Sequence, residues 1–241
     1  MSAEASSEPS QAKTDVARGV IRWLVQITIV ILLQSACLFL PAGSLDWAMG
    51  WVYVGLQVLN QAVGAIVLIS INPELLADRA RSKGPRNLDR VLSGVMFLYG
   101  PIAILIVAGL DHRFDWSPVV SAILQIGAVV VALLGVILGI WAIASNRHFY
   151  GVFRIDNERG HTVTSTGPYA LVRHPGYLGG ILFYLATPLM LGSLWALVPA
   201  ALTVIASVAR TSLEDQALQR ELGGYTAYTQ QTRHRLVPGI W

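Results

Sequence analysis

The sequence predicts an all-α integral membrane protein with about six membrane helices. Four are spans, two form a C-terminal helical hairpin, and a cytosolic cofactor-binding region accompanies them. Three observations predict this class. Of 241 residues, 54% are hydrophobic and 13% charged, against roughly 25% charged in a soluble domain. The charges fall in blocks between long apolar runs, and about twenty apolar residues suffice to cross a hydrocarbon core of about 30 Å. Of the 17 Lys and Arg residues, all but Arg113 fall on one side if the chain crosses six times, a strong positive-inside bias. The net charge of +3 therefore reports topology rather than affinity for nucleic acid.

The elements follow in order. Residues 1–18 are small and polar and read as a disordered tail. A four-span membrane region, 19–144, comes next. Ile21–Leu40 is the first span, too long and too poorly flanked for a cleaved signal peptide. The single cysteine, Cys37, excludes an intrachain disulfide. Gln34 stands where a lipoprotein cleavage box wants Leu, so Cys37 reads as a buried membrane thiol. Trp47–Ile71 is the second span, with Trp47, Trp51 and Tyr53 as an interfacial belt. The basic connection 72–90 opens on a short amphipathic helix capped by Asn72 and Pro73. That helix reads as a surface element on lipid headgroups, or else as a gate for substrate.

Val91–Leu110 is the third span and Val119–Ala144 the fourth. Gly127, Gly135 and Gly139 form a small-residue stripe on the fourth, where a neighbouring helix can approach closely. Gln26, Gln34, Gln57, Asn60 and Gln61 lie at membrane depth, as interhelical hydrogen-bonding groups or as the lining of a substrate path. The last region, 145–241, begins with a polar excursion to Val172. Tyr177–Ala209 then stays apolar but is broken by Pro188, Gly192 and Pro199, which predicts a hairpin turning near 191–193. A further helix, Ser207 to Leu222, leaves the membrane and stops at Gly223-Gly224.

The chemistry concentrates in Gly167-Pro-Tyr-Ala-Leu-Val-Arg-His-Pro-Gly-Tyr-Leu-Gly-Gly180. His174 precedes a proline and is biased to extended backbone. Pro175 suits the first position of a helix. A helix N-terminus with nearby glycines offers free amides and a positive dipole end to an anion. Some thirty-five residues on, Arg210-Thr-Ser-Leu-Glu214 places a cation and a carboxylate on one helical face.

Arg-His-Pro-x-Tyr-x-Gly followed by Arg210 and Glu214 resembles the isoprenylcysteine carboxyl methyltransferase family, over about Asn146 to Trp241. The resemblance implies a multi-pass membrane methyltransferase that uses S-adenosylmethionine and no metal. Its acceptor would be lipophilic and carboxylate-bearing, a small molecule or a lipidated protein. It also implies cofactor contacts from His161, Thr162, Val163, Thr164, Tyr169, His174, Pro175, Gly176, Tyr177 and Glu214. Arg210 matches the arginine that faces the acceptor's carboxylate, and Arg173 joins it as the second candidate catalytic cation. Asp156 departs from the family, where relatives often have Gln.

Other readings compete. Arg173 and His174 could anchor headgroups, Arg210 and Glu214 could be a surface ion pair, and Tyr169 and Tyr177 could belong to an interfacial belt. An NADPH-dependent sterol-type membrane reductase resembles the same motif. A non-enzymatic membrane binding or transport subunit would instead cluster its polar residues at the membrane midplane. No His-x-x-x-His or Glu-x-x-His pattern supports a metal. Fifteen Arg against two Lys points to a bacterial cytoplasmic membrane, with both termini cytoplasmic.

The charge asymmetry yields a test. Cysteines introduced at Ser82 and Ser165 should react with an impermeant maleimide from the cytoplasmic side only, and one at Ser117 from outside only. Outside labelling at Ser165 would overturn the span count and the placement of the motif.

Overall fold

The computed structural model describes residues 8–71, 87–146 and 162–241. The expected amphipathic helix after Asn72 and the candidate site residue His161 lie outside these segments. The described residues are helical throughout their ordered elements and contain no strand. Helix α1 spans Glu8–Ala42, α2 Ala48–Ile71, and α3 Asn87–Gly94. A π turn, Val95–Tyr99, joins α3 to α4, Gly100–Phe114. Then come α5, Ala122–Ser145, and α6, Pro175–Met190. The chain ends with α7, Leu197–Glu221, and α8, Tyr225–Gln231. Five stretches are long and apolar enough to cross a membrane: 17–42, 48–71, 88–114, 122–145 and 197–221. Their outward faces expose Ile, Leu and Val widely, as lipid-facing helices must.

Three differences from expectation have local causes. Helix α1 begins at Glu8, inside the segment expected to be a disordered tail. The third span is interrupted because Pro101 has no N–H and its ring would crowd the carbonyl of Phe97. The chain answers with a wider turn, in which the Gly100 amide reaches back to Val95 O. The second hairpin arm and the helix expected from Ser207 are one continuous element, α7. Thr203, Ser207 and Thr211 lie along its buried face, each hydroxyl donating to the carbonyl four residues earlier at 2.8 Å. These small self-satisfied residues let α4 approach: a Cβ at Gly100 would collide with Thr203 Oγ1.

The hairpin forms where predicted. Helix α6 has sixteen residues, about 24 Å at 1.5 Å per residue, shorter than a hydrocarbon core of about 30 Å. Gly192 turns the chain with φ +76°, a left-handed conformation that favours glycine. Asp111 secures this end of the molecule. Its carboxylate accepts the Ser117 amide at 2.7 Å and the hydroxyls of Ser117 and Ser193 at 2.5 Å each, so the α4–α5 and α6–α7 turns are tied together. Trp51, Phe114, Trp116 and Trp195 are exposed at the same end, the place for an interfacial aromatic belt.

Helices α5 and α6 pack together most extensively. The glycine stripe explains this in part, since a Cβ at Gly135 would lie 2.6 Å from Gly179 O, and one at Gly179 would lie 3.0 Å from Gly139 N. Gly127, by contrast, faces open space. Of the membrane glutamines, Gln34 and Gln57 bond each other across α1 and α2 at 2.7 Å, with Tyr53 beside them. That pair is an interhelical tie.

A substitution pair separates packing from propensity. Gly135→Val should destabilise the protein by about 1–3 kcal/mol through overpacking, lowering its unfolding midpoint in detergent as followed by tryptophan fluorescence. Gly127→Ala should be neutral or stabilising by up to about 1 kcal/mol. Equal losses in both would contradict the close α5–α6 contact.

Candidate active site

The site is assembled where the polar excursion returns to the bundle. Gly167 turns the chain at φ +61°, and a Cβ there would lie 2.5 Å from Ser145 Oγ at the end of α5. A 3-10 turn, Gly167–Ala170, buries Pro168 and Tyr169. Tyr169 packs with Ala142, Leu222, Tyr225 and Tyr228, against the half-buried Val163. The chain then bends through Arg173 to His174, whose φ of −127° and ψ of 61° are neither helical nor the extended backbone expected of it, and α6 starts at Pro175 as its sequence dictates. The first-turn amides of Gly176 and Tyr177 have no acceptor within the helix, because Leu178 is the first to bond back, to His174 O.

The organising group is Asp215 on α7, fully buried at 0% exposure. Arg173 grips it in two places, Nε to Oδ1 at 2.8 Å and Nη2 to Oδ2 at 3.0 Å. Oδ1 also lies 3.1 Å from His174 Nε2 and accepts the Tyr225 hydroxyl at 3.0 Å. Oδ2 accepts Arg235 Nε at 2.9 Å and Gln219 Nε2 at 2.8 Å. Arg173 Nη1 donates to the carbonyls of Thr232 and Arg233 at 3.0 and 2.7 Å. The backbone follows suit: the Arg173 and His174 amides donate to His234 O and Arg235 O, both at 2.9 Å. The tail thus straps the Arg-His-Pro turn onto α7.

Three tyrosines complete this layer. Burial, with the Asp215 charge next, holds the Tyr225 phenol well above its ordinary pKa. Burial pushes Tyr228 up to about 12 and raises Tyr169 as well. All three remain protonated at neutral pH, and the Tyr228 hydroxyl donates to Tyr169 O at 2.6 Å.

A second cluster faces away from Asp215. The Tyr177 hydroxyl donates to Glu214 Oε2 at 2.5 Å. Arg210 lies one turn before Glu214, yet among the described residues its ion pair is with Asp89 on α3, Nε to Oδ1 at 2.7 Å. Its guanidinium sits 5.6 Å from the ring centroids of both Phe97 and Tyr177, within cation–π range. Arg210 is 2% exposed, so it is not half of a surface ion pair.

The structure therefore brings Tyr169, Arg173, His174, Pro175, Gly176, Tyr177, Arg210 and Glu214 into one region. Thr162 is exposed and Thr164 half-buried on the approach to the turn. No described cluster of His, Cys, Asp and Glu could hold a metal ion. Sequence reasoning missed Asp215, Tyr225, Arg235 and Asp89. The acidic pair Glu214-Asp215 was the one local signal available for the first of these.

Comparison with known proteins matches the same half of the chain. Residues 120–224 fit the phospholipid methyltransferase family. The match covers that segment of the chain alone. A "Probable protein-S-isoprenylcysteine O-methyltransferase" of Oryza sativa subsp. indica is 36% identical over 66 residues. One of the same name from Oryza sativa subsp. japonica matches equally. The aligned stretch is 27% of this chain and 35% of each relative, so the chain spans about a third of the length of the curated relatives it matches. The matched segment runs from just before α5 to the start of α8. It includes the Arg-His-Pro turn, Arg210, Glu214 and Asp215, whereas Asp89 and the tail beyond residue 224 lie outside it.

Proposed function

We propose that this protein is an S-adenosylmethionine-dependent membrane methyltransferase acting on a lipophilic, carboxylate-bearing acceptor of the isoprenylcysteine kind. The observation that carries the proposal is that, within the segment matching the phospholipid methyltransferase model, a buried arginine and a half-buried carboxylate stand one turn apart on α7 and meet the same tyrosine, Tyr177. The acceptor class draws on the name of the rice relatives and on the lipid-facing surroundings of Arg210.

The residues fit the cofactor. Glu214 Oε1 and His174 Nδ1 have no partner among the described residues. Glu214 suits an ammonium, and the first-turn amides of Gly176 and Tyr177 suit a carboxylate. Thr162, Val163, Thr164 and Tyr169, with His161 from the preceding loop, supply polar contacts and apolar wall. S-adenosylmethionine supplies a sulfonium methyl, an electrophile that needs no metal. The protein's contribution is alignment. Arg210 orients an anionic acceptor through its planar fork, and Tyr177 spans the two partners, bonded to Glu214 and in cation–π range of Arg210. Arg173, whose N–H groups are committed to Asp215 and the tail, serves as a positioning residue that fixes His174. The orientation follows the charge asymmetry, with the site facing the cytoplasm and the acceptor entering from the bilayer.

Binding and turnover measured on the same preparations test this reading. Glu214→Ala and His174→Ala should each weaken S-adenosylmethionine binding by at least about 1 kcal/mol, the scale of a charged hydrogen bond. Arg210→Lys should keep cofactor affinity but lose most methyl transfer, because lysine lacks the two-point fork. Full cofactor affinity in both first variants, or wild-type turnover in Arg210→Lys, would refute the assignment.

A further inference from the structure

The seam between α3 and α7 holds two sets of polar atoms without a protein partner among the described residues. The first is the edge of Arg210 that nothing occupies. Its only hydrogen bond among the described residues is from Nε to Asp89. Nη1 and Nη2 are unpartnered on a side chain that is 3% exposed. The second is Ser93. Its Oγ is buried without a hydrogen-bond partner, the only such side-chain atom among the described residues. Buried polar groups are nearly always paired, and an exception calls for a ligand or another specific cause.

The two features belong to one place. Asp89, Ser93 and Phe97 are spaced by four along α3 and into the π turn, so they form one stripe. Asp89 bonds Arg210, and the Phe97 ring centroid lies 5.6 Å from its guanidinium. Ser93 lies midway between two residues that touch the same guanidinium. The fork is held by Asp89 at its Nε edge, with the Phe97 and Tyr177 rings each 5.6 Å from it in cation–π range. Its remaining edge and the Ser93 hydroxyl are the open donors. Two N–H groups and one O–H form a receptor for an oxyanion. The surroundings are lipid-facing, since Phe97, Leu98 and Tyr99 are all exposed.

We propose that Ser93 is a specificity-determining residue of the acceptor site, donating a hydrogen bond to the acceptor's oxyanion beside Arg210. Asp89 is the positioning residue that holds the fork with its Nη edge presented. The proposal rests on the reading above that Arg210 receives the acceptor. The oxyanion could be the carboxylate of a prenylated cysteine or the phosphodiester of a phospholipid, which share this chemistry.

The test uses the full chain in nanodiscs of uncharged lipid, with acceptor binding read directly alongside S-adenosylmethionine affinity and turnover. The probes are an S-prenylated N-acyl cysteine and, separately, phosphatidylethanolamine added to the discs. Ser93→Ala should weaken binding of one probe about tenfold, with cofactor affinity unchanged, and Ser93→Thr should restore it. The probe that loses affinity names the source of the oxyanion. Asp89→Ala should weaken the same probe at least as much, and Asp89→Asn, which keeps an acceptor for Nε, should weaken it less. Unchanged probe affinity in Ser93→Ala, with a higher unfolding temperature from losing an unsatisfied hydroxyl, would overturn the proposal. Tighter binding in Asp89→Ala would make Asp89 a competitor for the fork and overturn its positioning role. A wild-type protein that binds neither probe would also overturn it. Probe binding that depends on Ser93 but is accompanied by no cofactor binding and no methyl transfer would instead count against the methyltransferase reading alone.

Discussion

A buried carboxylate is the constraint on which the Arg-His-Pro end of this molecule depends. Asp215 has no exposure, and an unpaired charge in that position would be prohibitively costly. It is tolerated because side chains from α7, the Arg-His-Pro turn, α8 and the tail converge on it. Such a network confers little net stability against a hydrophobic alternative, but losing one member is expensive. Its value here is geometric. It fixes the rotamers of Arg173 and His174, and through the tail's carbonyls it fixes the backbone that launches α6.

The continuity of α7 makes this arrangement productive. Arg210 and Glu214 are four apart and share a face, while Asp215 is turned about 100° further round the helix. One face therefore looks towards α3 and Tyr177, and the adjacent one towards the strap. The strap orders the turn of the proposed cofactor site and the other face carries the proposed acceptor contacts, so one rigid element relates the two. The opposite end of the molecule has its own buried carboxylate, Asp111, which ties the turns together without any ligand-facing group.

Much of this was legible in the sequence. Long apolar runs with segregated charge gave the spans to within a few residues, because lipid demands that pattern wherever a helix crosses. Pro175 marked the start of α6 and Gly192 the hairpin turn, since each residue's backbone preference acts locally. Arg210, Glu214, His174 and Tyr177 were singled out by motif and do converge. What stayed hidden depends on long-range partners. Asp89 and Arg210 are 121 residues apart, and Asp215 and Arg173 are 42 apart, so no local spacing announces either pair. The commitment of Arg173 to Asp215 is invisible without the fold, and a lone arginine in a site motif reads naturally as catalytic. The onset of charge at Arg210 looked like the end of a span, although the helix continues through it. The π turn was missed because Pro101 near the start of a helical segment signals a break without saying which kind.

Asp215 orders the Arg-His-Pro turn by strapping the tail across it. Hydrogen exchange by mass spectrometry, comparing wild type with Asp215→Asn in the same membrane mimetic, tests it most directly. The substitution keeps size and removes charge. The account predicts that peptides covering 171–178 and 232–241 lose protection together, while those from α4 and α5 keep theirs. Unchanged protection at Arg173 and His174 in a folded Asp215→Asn protein would contradict it.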